Sequence, residues 1–96
     1  MPSKLSRPNH SVEKSFQIIE TMAMERQPMR LQDIAHRTGI PSSTALRMLT
    51  TLMSLGYVGQ DEATLRYFLS FKFAYLGNCV TSQTSIPDIA HPYIAE

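Results

Sequence analysis

A mainly α fold with a small β-hairpin, a winged helix-turn-helix, is predicted for this 96-residue chain by three features of its sequence. Apolar residues recur at helical spacing in three successive segments before residue 56. The second and third segments are split by Thr38-Gly39-Ile40-Pro41, the short connection that a helix-turn-helix needs. Two short stretches, 57–60 and 66–69, then alternate as strands do and are joined by the run 61–65.

The elements follow in order. Residues 1–10, with Pro2, Pro8, Lys4 and Arg7, read as a flexible basic arm. Ser11 is placed to cap the first helix, with Glu13 in its first turn. Val12, Phe16, Ile19, Met22 and Ala23 repeat along it as the expected core face, until residues 25–28 end the helix. Met29, Arg30 and Leu31 are a short extended entry to a second helix at about residues 32–38, whose buried side is Leu31, Ile34 and Ala35. Gly39 can take the left-handed conformation that ends a helix, and Pro41 fixes the entry to the next.

The third helix opens with Ser42, Ser43 and Thr44 and carries Arg47 one turn later, while Ala45, Met48, Leu49, Leu52 and Leu55 fall on the opposite side. Gly56 supplies its stop. In the hairpin, Tyr67 and Leu69 face the core and Arg66 and Phe68 point away. Ser70 starts a further helical stretch through Tyr75 and Leu76, and core packing is expected for Phe71, Phe73 and Tyr75. Residues 81–85 read as a polar linker. Beyond it Ile86, Ile89, Ala90, Tyr93 and Ile94 form an apolar helical face, kinked at Pro92, that would bury against a partner chain or a further domain.

Composition bounds the function. Apolar content of 43% and charged content of 18% are ordinary for a globular domain. The net charge of +1 hides an asymmetry: residues 1–60 hold seven basic against four acidic residues, and residues 61–96 hold two against four. The positive field therefore sits on the helical half. It is modest, so tight nucleic-acid binding would need two copies. Cys79 is alone, which excludes an intrachain disulfide and a multi-cysteine zinc site. His10, His36 and His91 stand at no metal-ligand spacing, and no serine lies in a G-x-S-x-G turn. No catalytic residue, cofactor or metal is expected, and the chain is read as a non-enzyme. No apolar run approaches the roughly 20 residues of a membrane span and the polar start lacks a signal peptide, so a cytoplasmic protein with no membrane partner is expected.

A helix with a dry back and a short, hydrogen-bonding front can lie in a DNA major groove. Ser42, Ser43 and Thr44 are accordingly candidates for DNA contact, although small hydroxyl residues at a helix start also cap it. Arg47 can serve either a guanine or a phosphate, and the sequence leaves that open. Arg30, Lys4 and Arg7 are candidates for phosphate contact, whereas Arg37 is read as complementing its own helix C-terminus. Thr50 and Thr51 are read as surface polar residues, and outward Phe68 as an interface aromatic.

The run from Ser11 to Phe16, then Gly39 to Thr44, Arg47, Leu49, Leu52, Leu55 to Val58, and Arg66-Tyr67 resembles the N-terminal DNA-binding domain of the IclR family of bacterial transcriptional regulators. The resemblance covers about residues 11–77, and residues 86–92 look like the first helix of that family's C-terminal effector-binding domain. It implies an arm at 1–10, the winged domain at 11–77, and at 78–96 a linker and the start of a truncated second domain. It also implies a homodimer or higher homo-oligomer on a double-stranded DNA operator, with a small-molecule effector held by the missing domain. The family's DNA-reading positions fall on Ser42, Ser43, Thr44 and Arg47, with Arg66 on the wing.

Four departures matter. Family members often carry a basic residue where Ser42 stands, histidine at Leu46, glycine at Leu65 and a basic residue at Phe68. Leu46 could instead touch a thymine methyl. With Asp61 and Glu62 in its turn, the wing is expected to anchor weakly, leaving more phosphate contact to the arm and Arg30. A protein-interaction module on the same winged-helix fold is the alternative reading, because fold alone does not fix function.

Overall fold

The computed structural model describes residues 6–82. Its first helix, α1 (His10–Glu25), is capped by Asn9 rather than by Ser11. The Asn9 side-chain oxygen accepts from the Ser11 and Val12 amides at 2.9 and 3.2 Å, so the helix starts at His10. It ends at Arg26, a left-handed residue (φ 64°) whose N–H reaches the Met22 carbonyl.

The expected core face of α1 needs correction. Ile18 and Met22 are buried, Ile19 is half-buried, Ala23 is exposed, and Val12 and Phe16 stay 53% and 54% exposed. Two apolar stripes run side by side on this helix. The one through Ile18 and Met22 meets the other helices and the hairpin, and the one through Val12 and Phe16 stays about half exposed and outside the core.

Helices α2 (Leu31–Thr38) and α3 (Ser42–Ser54) form the helix-turn-helix. Gly39 closes α2 in the left-handed conformation (φ 73°), donating to the Ala35 carbonyl. Ile34 and Ala35 are buried and Leu31 half-buried, as the sequence predicts. Pro41 occupies the N-cap position of α3, and no side chain caps it, so the Ser42, Ser43 and Thr44 hydroxyls are not used for that purpose. Ala45, Leu49 and Leu52 are buried and Met48 packs against them, but Leu55 is exposed beyond the helix end. Ile18, Ile34 and Leu49, one from each helix, are the largest fully buried side chains.

Strands β1 (Val58–Gln60) and β2 (Tyr67–Leu69) pair antiparallel, with Val58 opposite Leu69 and Gln60 opposite Tyr67. Tyr67 is buried, Leu69 half-buried and Phe68 exposed, in keeping with strand alternation. The entry at Met29 is more than an extended linker. It exchanges both backbone bonds with Tyr67, at 2.9 and 2.7 Å, and so adds a third edge to the hairpin. The Phe68 ring lies across Gly59, so a Cβ there would force the ring to move.

The last described helix, α4 (Lys72–Thr81), is longer than the sequence predicts and buries no residue. Its start is tied down by Ser70, which donates to the Gly56 carbonyl (2.6 Å) and accepts from the Lys72 amide (3.2 Å). Lys72 donates to the Leu55 carbonyl and stands 4.6 Å from the centre of the Tyr57 ring, against which Phe73 also packs. Core packing therefore holds for Phe73 only in part, while Phe71 is 91% and Tyr75 66% exposed, because a helix places these alternate residues on different sides. The readings made of Lys4 and of residues 83–96 lie outside the described residues. No helix among the described residues is long and apolar enough to cross a membrane.

Candidate nucleic-acid interface

The front of α3 is fixed by its back. With Ala45, Leu49 and Leu52 held in the core, the helical period turns Ser43, Arg47, Thr50 and Ser54 outward along one line, and all four are exposed. Ser42 is exposed beside this line and Thr44 is half-buried on its other side. Leu46, 42% exposed, stands next to Ser43 and Thr50. Thr50, a surface polar residue by its sequence position, is exposed, and its spacing of three from Arg47 and seven from Ser43 puts it on the front.

Pairing divides the basic residues. Arg37 forms an ion pair with Glu25, tying the end of α2 to the end of α1, and this pair depresses the Glu25 carboxyl below its usual range. Arg66, half-buried, reaches back to the Pro28 carbonyl at 3.5 Å and lines a cleft with Glu25, Asp33 and Arg37 rather than standing free on the wing. Arg7, Arg30 and Arg47 are exposed, with no acidic partner among the described residues. These three are free to meet phosphates.

Three grooves divide the candidate residues. Thr44 and Arg47 line one of about 370 Å³ with Ser11 and Ser15 of α1, so the start of α1 flanks the α3 front. Arg30, at the N-cap position of α2, lines a second with Gln32 and the wing residues Thr64 and Leu65. Arg66 belongs to the third and is not brought together with either.

The wing is rigid. The Asp61 amide donates to the Arg66 carbonyl (2.8 Å), the Leu65 amide to the Asp61 carbonyl (2.7 Å), and the Asp61 carboxylate accepts from both the amide and hydroxyl of Thr64. Those two bonds hold the Asp61 carboxyl below its usual range. Leu65, at the end of the turn, stands at φ 64°, a region that leucine tolerates poorly. Among the described residues no group of three His, Cys, Asp or Glu side chains is arranged to hold a metal ion.

Residues 11–62 match the family model for the IclR helix-turn-helix domain. The chain is 32% identical over 84 residues to the Pca regulon regulatory protein of Pseudomonas putida, covering 88% of this chain and 28% of that protein. It is 30% identical over 82 residues to the p-hydroxybenzoate hydroxylase transcriptional activator of Acinetobacter baylyi, covering 84% and 29%. An IclR family transcriptional regulator from Brucella abortus superposes with a TM-score of 0.73 at 25% identity, over 95% of this chain and 36% of that one. The chain thus spans less than a third of the length of those two curated relatives.

Proposed function

This chain belongs to the IclR family of helix-turn-helix proteins, and from that premise we propose that it is the sequence-specific DNA-binding domain of a transcriptional regulator. The observation that carries the reading is the exposed line Ser43, Arg47 and Thr50 on a helix whose opposite side is locked into the core. α3 lies in the major groove. Ser42, Ser43 and Arg47 meet base edges or the phosphates beside them, Leu46 offers an apolar contact for thymine methyls, and Thr44 faces the backbone with Ser11. Arg30 and Arg7 add phosphate contacts that carry salt-dependent affinity. Arg66 contributes less than its position on the wing implies, because it turns back toward the Pro28 carbonyl and the cleft it lines with Glu25 and Asp33.

Two copies bind an operator. Support for self-association comes from apolar side chains left about half exposed or more among the described residues: Val12 and Phe16 on α1, and Tyr75 and Val80 on α4. A small-molecule effector acting through a C-terminal domain, work in the cytoplasm and the lack of an enzymatic role complete the reading.

The test is a salt titration on a duplex that the protein itself selects from a random-sequence pool. Affinity should fall log-linearly with salt, with a slope set by the phosphates neutralised, and a scrambled duplex should bind more weakly. Failure to enrich any sequence, or an association that salt leaves unchanged, would instead favour a protein-interaction module on the same fold.

A further inference from the structure

Lys72 spans two elements. It opens α4, yet its side chain folds back over residues 55–57, the joint between α3 and β1. Its ammonium donates to the Leu55 carbonyl at 2.8 Å and stands 4.6 Å from the centre of the Tyr57 ring, and its stem passes 3.8 Å from where a Cβ on Gly56 would be. Helix α3 has no basic residue in its own last turn, so Lys72 brings to its C-terminal end the donor and positive charge that the last carbonyls of a helix favour. The joint is firm, because Tyr57 packs against the core.

That attachment decides how α4 points. Ser70, bonded to the Gly56 and Tyr57 carbonyls, fixes where the helix begins. Its direction needs contacts on the helix itself, and since α4 buries no residue, these are supplied by Lys72 on Leu55 and by Phe73, whose ring centre lies 5.0 Å from that of Tyr57. The exposed side chains Tyr75 and Val80 follow three and eight residues after Lys72, about 5 and 12 Å along the axis. A tilt of about 20° at the base would carry Val80 by about 4 Å, more than the roughly 3.4 Å between base pairs. The other apolar side chains offered to a second copy, Val12 and Phe16, ride on α1, which the core holds through Ile18 and Met22. One angle between α1 and α4 therefore suits one arrangement of two copies.

Resting on the DNA and two-copy reading above, we propose that Lys72 is a positioning residue for operator recognition. By clamping α4 to the end of α3 it fixes the separation of the two recognition helices, and with it the spacing of half-sites that the protein accepts. It touches no DNA itself.

Affinities of the full chain test this on the selected duplex, on versions with one or two base pairs added or removed between its half-sites, and on a single half-site, using Lys72→Met and Lys72→Arg. Methionine keeps a flexible stem and favours a helix but loses the donor, whereas arginine can still reach a carbonyl and stack on a ring. Wild type and Lys72→Arg should prefer the selected spacing by about tenfold or more, and in Lys72→Met that preference should shrink to about threefold or less. Single-half-site affinity and the salt slope should not change. Full spacing preference in Lys72→Met would overturn the proposal and leave the DNA reading standing. A salt slope lower by about one would overturn it by placing Lys72 on a phosphate. A wild-type chain indifferent to spacing would remove the two-copy reading and this role together.

Discussion

Helices α3 and α4 have similar lengths and both carry apolar residues, yet α3 buries Ala45, Leu49 and Leu52 whereas α4 buries nothing. The difference lies in what each meets. α3 is gripped by α1, α2 and β1, so its orientation is set by the core and its polar front is presented at a fixed angle. α4 is held through its first turn, by Ser70, Lys72 and Phe73, and its later residues leave Tyr75, Leu76 and Val80 partly exposed. A helix so placed adds little to the stability of its own domain. Its apolar side chains become useful only when a second surface covers them.

The largest effect should come from breaking the grip on α3. Leu49→Ala empties a fully buried site and should cost about 2–5 kcal/mol, enough to unfold much of a domain this small. Chemical denaturation monitored by circular dichroism measures it, and a loss below about 1 kcal/mol would mean that α3 is not anchored as described. The matched change on α4, Tyr75→Ser together with Leu76→Ser, should leave the stability of the isolated domain within about 0.5 kcal/mol of wild type. Sedimentation equilibrium should nevertheless show weaker self-association. If it does not, the uncovered α4 side chains serve something other than a second copy.

A gain of stability is expected at the wing. Leu65→Gly relieves a left-handed leucine at an exposed site and should raise stability by about 0.5–1 kcal/mol, offset in part by the freedom glycine has when unfolded. A rise in the melting temperature checks this, and a fall would mean that the leucine side chain is needed by the fold. The smallest effect concerns acid. Glu25 and Asp61 both have carboxyl groups depressed in the folded state, by Arg37 and by Thr64 respectively. Their contribution is fully present above the ordinary carboxylate range and is lost as pH falls through the folded values. Glu25→Gln should therefore flatten the acid limb of the stability profile and leave neutral pH nearly unchanged, since exposed pairs contribute little.

Much of this was legible in the residues. Gly39 ends α2 because the one residue type free of a Cβ stands where φ must be positive, and the burial of Ala45, Leu49 and Leu52 follows from their spacing. The failures have physical causes. α1 carries two apolar stripes, and periodicity cannot say which one meets the core, so spacing alone places Val12 and Phe16 inside and passes over Ile18. Asn9 rather than Ser11 is the cap because the helix begins at His10, which puts Ser11 inside the first turn with its own amide donating to the Asn9 oxygen. The partners of Arg66 and Met29 lie far away in sequence, at Pro28 and Tyr67, and no local pattern announces a contact of that kind.

The central claim is that the front of α3 serves DNA and not the fold, and Arg47→Ala tests it most directly. Its melting temperature and its affinity for the selected duplex should be measured side by side with wild type. The guanidinium is exposed and without an acidic partner among the described residues, so melting should not change, while affinity should fall by about 1–3 kcal/mol if it reads a base. A uniform loss across sequences would assign it to phosphate. Unaltered binding to every duplex by a normally folded Arg47→Ala protein would contradict the account.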